Sequence, residues 1–343
     1  MNFLTKELWQ HQRDFNSAAQ QRAGILFHGG MGVGKTLASL STMPPAPGRK
    51  YLIECPKVMV QTWRYEIEDN VDGDFDVLTL DRGNISAKSD HLSQAIMRQS
   101  AHHRALYVVV NYESAWRGEL GNMLLRDGWD VIVSDECHRI KSPGSKQSKY
   151  MHRLGQRAGR RIALSGTPFP QGPLDAYAIY RFINPSIFGK SFYTFRNRYA
   201  IMGGFNAKQV IGYQNKEDLN RRINSVRFYA GRDLLDLPEA VHHQVRLQLP
   251  KGSVKAYRDV ERDMYAWIES AGAEVTAANA LVKLLRLQQM TSGYVRGDDE
   301  KFSELHTVKQ EATEEILADI DGEKVVIFCR FTHDIEAAQP VSY

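Results

Sequence analysis

Cysteine is scarce in this chain: Cys55, Cys137 and Cys329 are the only three in 343 residues, and none forms a CxxC pair. Neither a disulfide framework nor a zinc site can be read from such spacing. They read as reduced, partly buried thiols of a cytosolic protein. Long hydrophobic runs are also missing, with no stretch near the roughly 18 apolar residues of a membrane span. The N-terminal Met1-Asn2-Phe3-Leu4-Thr5-Lys6-Glu7 has no apolar signal core. A soluble protein with no membrane partner is the first expectation. Charge of one sign is not in excess either: 44 Lys and Arg stand against 40 Asp and Glu, a net +4. That balance permits nucleic acid without demanding it. Internal repeats and low-complexity tracts are absent, and the apolar content of 43% is that of an ordinary globular protein.

Short apolar runs are what the first half does have. Gly24–Phe27, Tyr51–Cys55, Val77–Leu80, Leu106–Val110, Val131–Ser134 and Arg161–Leu164 read as strands. Several are apolar on both faces, as strands buried between two helical layers must be. Helix-like stretches such as Thr36–Thr42 and Val58–Glu68 lie between them. Strand and helix in alternation predict an α/β fold with a parallel sheet and helices on both faces. Ligands in such folds sit at the carboxyl ends of strands. Beyond about residue 172 the chain reads as mainly helical. Apolar stripes run through Leu174, Ala178, Ile179 and Phe182, then Tyr257, Val260, Met264, Trp267 and Ile268, and then Leu281, Leu284, Leu285 and Gln288. These read as core packing. A last apolar strand is expected at Val325–Cys329.

Gly29-Gly30-Met31-Gly32-Val33-Gly34-Lys35-Thr36 matches GxxxxGK[ST] in full, with an apolar strand before it and a helix after. Glycines let such a loop turn its N–H groups inward on phosphates. The ammonium of Lys35 would meet the β and γ phosphates and the Thr36 hydroxyl would ligate Mg²⁺, so ATP and Mg²⁺ are the expected cofactors. A hundred residues on, Asp135 and Glu136 leave the buried run Val131-Ile132-Val133-Ser134. Two acids at a strand exit require a partner. Beside a phosphate loop, Asp135 would hold the Mg²⁺ shell and Glu136 would deprotonate the attacking water. Lys35, Asp135 and Glu136 are thus the catalytic candidates.

Asp135-Glu136-Cys137-His138 is a DExH-type box, and from there the chain resembles the Swi/Snf-type DNA translocases of helicase superfamily two. Motifs similar to that family's run in order along the chain. Leu8–Gln12 resembles the adenine-reading Q motif, with Gln12 as base contact. Cys55-Pro56-Lys57 through Gln61-Thr62-Trp63, Asn111-Tyr112-Glu113, and Leu164-Ser165-Gly166-Thr167-Pro168 follow. So do Leu235-Asp236-Leu237-Pro238-Glu239 and Lys324–Thr332. The resemblance implies a RecA-like P-loop fold, a nucleotide site at Gln12 and Gly29–Thr36, and coupling by His138, Ser165, Gly166 and Thr167. DNA backbone contacts fall, on the same footing, at Lys57, Thr62 and Asn111 near the strand exits. Gly29-Gly30 departs from the family's Asp-Glu before the glycine loop, and Cys137 from its commoner Ala or Gly. Gly155-Gln156-Arg157-Ala158-Gly159-Arg160 looks superficially like an arginine-finger motif but reads as a solvated basic turn.

The expected organisation is a RecA-like ATP-binding lobe over 1–172 and a helical protrusion over 173–235. A crossing segment with the protrusion of a second lobe follows over 236–323, then the first strand of an incomplete second lobe over 324–343. Phe192-Tyr193-Thr194-Phe195-Arg196-Asn197-Arg198-Tyr199 mixes aromatics with arginines, and reads as a packed helix more than a nucleic-acid face. Duplex DNA, gripped without regard to sequence, is the expected partner. A protein completing the second lobe is the other. A cytoplasmic setting in a bacterial or phage-infected cell goes with compact relatives of this kind. Two function classes stay open: an ATP-driven DNA translocase, and an ATP- and DNA-binding switch or assembly subunit with little turnover unless a second lobe is supplied in trans.

Overall fold

A computed structural model describes residues 3–207, 209–271, 277–296, 302–320, 322 and 324–339. The chain divides into two compact units, one ending at Pro238 and the other beginning at Glu239. Seven strands form the sheet of the first: β1 (Gly24–Gly29), β2 (Lys50–Cys55), β3 (Phe75–Leu80), β4 (Ala105–Asn111), β5 (Trp129–Asp135), β6 (Ala158–Ser165) and β9 (Arg227–Ala230). Their order is β3-β4-β2-β5-β6-β1-β9, and each neighbouring pair is parallel. Strands buried on two faces need apolar residues at successive positions, and β4 is buried at all seven of its residues.

Side chains alternate across this sheet with the period of two that strands impose. From β4, Leu106, Val108 and Val110 enter one core, shared with Leu52 and Ile132. Ala105, Tyr107 and Val109 enter the other, shared with Ile25, Phe27, Ile53 and Val133. The second core is roofed by α1 (Gln10–Gln20), α2 (Lys35–Leu40) and α3 (Val60–Asn70). The first is roofed by α4 (Ile85–His102), α6 (Gly118–Arg126), α7 (Lys146–Gly155) and α8 (Ala176–Ile183), with the short α5 (Tyr112–Ala115) at the exit of β4. Local chemistry starts these helices: Asn84 and Ser145 accept hydrogen bonds from the N–H groups of Ala87 and Ser148, at 2.9 and 3.1 Å. Such caps contribute about 1 kcal/mol each.

Glu54 sits inside the first core. It is 0% exposed, and neither carboxylate oxygen has a hydrogen-bond partner. Burial alone pushes its pKa up to about 8.

Past α8 come α9 (Phe192–Tyr199), an antiparallel hairpin of β7 (Ala200–Gly203) and β8 (Gln209–Tyr213), and α10 (Lys216–Asn224). The mainly helical reading of this stretch therefore missed a hairpin, and it missed β9, which rejoins the main sheet beside β1. Phe195 and Tyr199 are buried, and Phe195 packs on Phe188 with ring centroids 4.7 Å apart. Arg198 pairs with Asp218 at 2.9 Å. Phe195 and Tyr199 of α9 are core, as read, whereas Tyr193 is 65% exposed with the Arg196 guanidinium over its ring.

The second unit holds α11 (Lys251–Ala271), α12 (Ala277–Thr291), the antiparallel pair β10 (Tyr294–Arg296) and β11 (Phe302–Glu304), α13 (Val308–Asp319) and α14 (Thr332–Ala338). Leu281, Leu284 and Leu285 of the third stripe are exposed here, whereas Leu287 and Met290 are buried. The strand expected at Val325–Cys329 is not formed: residues 324–329 carry no ladder, and Phe328 is 93% exposed. A strand exists only through its neighbours, and among the described residues none pairs with this one.

Candidate nucleotide site

Three adjacent strands build the site. β1, β6 and β5 lie side by side, and all end at one edge: His28 is in register with Ser165, and Asp135 with Leu164. Strand spacing near 4.8 Å sets the glycine loop about 10 Å from the acid pair, with Ser165 between. The three motifs, spread over more than a hundred residues of sequence, meet there.

The loop leaves β1 at Gly29 and turns through left-handed backbone at Gly32 (φ 87°) and Gly34 (φ 69°), conformations that glycine adopts without strain. Lys35 opens α2, and its ammonium donates to the carbonyls of Gly29 and Gly30 at 3.1 and 3.0 Å. Gln12 holds the loop from outside. Its Oε1 accepts the N–H of Trp9 at 2.9 Å, which caps α1, and its Nε2 donates to Gly34 O at 3.2 Å. His11 bonds Val33 O at 2.8 Å. A Cβ at Gly34 would stand 2.2 Å from Gln12 Nε2 and would sit in left-handed backbone, so any other residue would be strained and would push the Gln12 amide off the loop. Val33 is fully buried while Met31 is 78% exposed, which leaves the loop's inner face to polar backbone. These features fit a triphosphate: turned backbone, an ammonium resting on loop carbonyls, and a hydroxyl at Thr36.

At the exit of β5, Asp135 is held from two sides. Its Oδ2 accepts the indole N–H of the buried Trp63 at 2.8 Å, and its Oδ1 accepts the N–H of Glu136 at 2.9 Å. Burial raises its pKa above the ordinary carboxylate value, and Glu136 adds to that rise, while the Trp63 bond and the charge of Lys35 oppose it. The phenol of Tyr112 fixes the strand end by donating to Asp135 O at 2.6 Å. Glu136 takes a left-handed conformation (φ 50°), uncommon for a residue with a side chain. Its Oε2 accepts the Ser165 hydroxyl at 3.1 Å and lies 3.2 Å from His138 Nδ1. His138 Nδ1 stands 3.3 Å from Ser165 Oγ, which also accepts the N–H of Thr167 at 3.1 Å. Glu136, His138, Ser165 and Thr167 thus form one polar cluster. Gly166 lies against the loop, since a Cβ there would meet Gly29 O at 3.4 Å.

Of the three DNA-contact candidates, Lys57 is exposed on a short 3-10 turn after β2. Thr62 is exposed too, but its surroundings include Tyr65, Glu66, Glu68 and Asp69, an acidic face ill-suited to phosphates. Asn111 requires a correction. It is 3% exposed, its Nδ2 donates to Glu113 at 2.8 Å, and its Oδ1 accepts from Lys88 at 3.4 Å. Its amide is engaged within the protein, so it shapes the loop instead of meeting solvent. The basic stretch at 155–160 ends α7 and begins β6, with Arg160 five residues upstream of Ser165. That places Arg160 about 16 Å from the site edge, at the opposite end of the strand. Sequence reasoning assigned no role to Trp63, Tyr112 or His11, although all three lie within recognised motifs.

Residues 1–293 match the family model described as the SNF2-related domain. Among curated relatives, putative protein p41 of Acyrthosiphon pisum secondary endosymbiont phage 1 is 24% identical over 68% of this chain and 53% of its own length. The DNA repair and recombination protein RAD54-like of Homo sapiens is 22% identical over 74% of this chain and 37% of its own. The chain therefore spans about half, or less, of these relatives. A solved structure titled Sulfolobus solfataricus SWI2/SNF2 ATPase core in complex with dsDNA superposes with TM-score 0.54 at 21% identity, covering 98% of this chain and 69% of that one. The fold is shared.

Proposed function

The chain belongs to the SNF2-related domain family, the Swi/Snf-type branch of helicase superfamily two, and from that premise we propose that it binds and hydrolyses ATP at the Gly29–Thr36 loop while gripping duplex DNA. The observation that carries the reading is the cluster of Glu136, His138, Ser165 and Thr167 beside the glycine loop. It joins the water-activating acid to the segment that would sense DNA.

Lys35 would leave the Gly29 and Gly30 carbonyls for the β and γ phosphates, and loop N–H groups would cradle the rest. Thr36 and Asp135 would hold Mg²⁺, which neutralises phosphate charge when bound. Trp63 and Tyr112 fix the carboxylate and the backbone of Asp135 at the strand exit. Glu136 takes the proton of the attacking water. Ser165 and His138 hold its carboxylate, so a shift of the Ser165–Thr167 segment moves the base. DNA phosphates would meet the strand-exit loops at Lys57 and Thr167, with no base reading expected. The RAD54-like relatives, named for DNA repair and recombination, and the structural neighbour's bound dsDNA support that partner.

Steady-state phosphate release, measured with and without duplex DNA, tests the reading. Hydrolysis stimulated by DNA of any sequence is the expected result. ATP bound but not hydrolysed at any DNA concentration favours instead the switch or assembly role.

A further inference from the structure

The turn after β9 lies directly on the glycine loop. Arg232–Leu234 forms a 3-10 turn, and Gly30 N–H donates to Ala230 O at 2.9 Å. A Cβ built at Gly30 would stand 2.6 Å from Arg232 Cγ and 3.2 Å from its backbone N. One built at Gly32 would stand 3.1 Å from Leu235 Cδ1. The stem of Arg232 therefore occupies the space a side chain at position 30 would take.

The head of Arg232 has no carboxylate partner among the described residues. Arg104, Arg139 and Arg222 each hold a carboxylate, whereas the exposed side chain of Arg232 has no ion pair or hydrogen bond among the described residues. The sequence suggests why. Gly29-Gly30 stands where the resembling pattern carries Asp-Glu. An acid at position 30 would have to displace the Arg232 stem. Glycine lets the stem approach. From Cγ the guanidinium reaches about 4–5 Å further, by ordinary bond lengths. The carbonyl of Gly30 is also one of the two on which the Lys35 ammonium rests. Arg232 thus sits on the part of the loop that flanks the β- and γ-phosphate ligand.

We propose that Arg232 is a phosphate-contacting residue of this site, supplied by the same unit as the loop and directed to the outermost phosphate of a nucleoside triphosphate. The assignment rests on the loop being the ATP site. Its fork of donors suits a terminal phosphate, which offers the most charge and the most free oxygens.

The test is equilibrium titration of the whole chain with mant-ATP and mant-ADP in the presence of Mg²⁺, for the wild type, Arg232→Ala and Arg232→Lys. A charge-assisted contact predicts that Arg232→Ala weakens mant-ATP binding about 10- to 100-fold, mant-ADP by less than about 3-fold, with partial recovery in Arg232→Lys. Equal losses for both nucleotides would assign Arg232 only to propping the loop and overturn the proposal. So would unchanged mant-ATP affinity in Arg232→Ala. A wild type that binds neither nucleotide would overturn the ATP-site reading itself. Circular dichroism melting of each variant serves as the control for folding, which the exposed position of Arg232 predicts to be intact.

Discussion

Replacing Glu54 with glutamine should stabilise the protein, and by more as the pH rises. Glu54 is fully buried on β2, with no partner for either oxygen. Its pKa, ordinarily 4.5, is pushed up to about 8 by burial. Between those values the native protein keeps a proton that the unfolded chain has lost. Native binding therefore exceeds unfolded binding, and stability falls as pH rises through that window. The slope is about 1.4 kcal/mol per pH unit until it flattens near the folded pKa, so the wild type loses about 3 kcal/mol between pH 4.5 and 7 and about 4 by pH 8. Glutamine has the shape of the protonated acid and does not titrate, so this loss disappears. Its unpaired amide still costs about 1–3 kcal/mol, which shifts the curve without tilting it. Urea unfolding followed by tryptophan fluorescence at pH 5, 6, 7 and 8 measures the difference between the two proteins, in which other titrating groups cancel. A stability gap that does not widen with pH would refute the reasoning, because it would mean that Glu54 titrates alike in both states.

Lys35→Ala should abolish mant-ATP binding and leave the unfolding midpoint near that of the wild type, since Lys35 makes only two bonds to loop carbonyls. Trp63→Phe leaves Asp135 Oδ2 without its donor. It should destabilise the protein by about 1–3 kcal/mol in urea unfolding, and raise the Mg²⁺ concentration needed for half-maximal ATP binding. DNA affinity, measured by fluorescence anisotropy, should fall steeply between about 50 and 200 mM salt and differ little between duplexes of unrelated sequence.

The sheet was legible because its strands are dense in apolar and β-branched residues: Leu-Tyr-Val-Val-Val in β4 and Val-Ile-Val in β5 cannot lie at a surface. β9 was not. Arg-Phe-Tyr-Ala is four residues long, opens on a charge and leaves Tyr229 59% exposed, so only its pairing with β1 makes it a strand. Val325–Cys329 shows the converse, an apolar run that reads as a strand and has no described neighbour to pair with. In the site, the glycine loop and the acid pair were readable because their chemistry is local. The Trp63 bond to Asp135 spans 72 residues and that of Tyr112 spans 23, and no local pattern announces either. Asn111 misled for a related reason. A residue at a strand exit reads as solvent-facing, yet Lys88 from α4 and Glu113 close over it.

Glu136→Gln most directly tests the central claim that Glu136 is the base of an ATP-hydrolysing site. The amide preserves the side-chain shape and can still accept from Ser165 Oγ, but it cannot take a proton. Mant-ATP affinity and DNA-stimulated phosphate release are measured on the same preparation of each protein. Affinity within a few-fold of wild type, with hydrolysis reduced by at least about 10²-fold, is the predicted result. Hydrolysis at the wild-type rate in the glutamine variant would contradict the account.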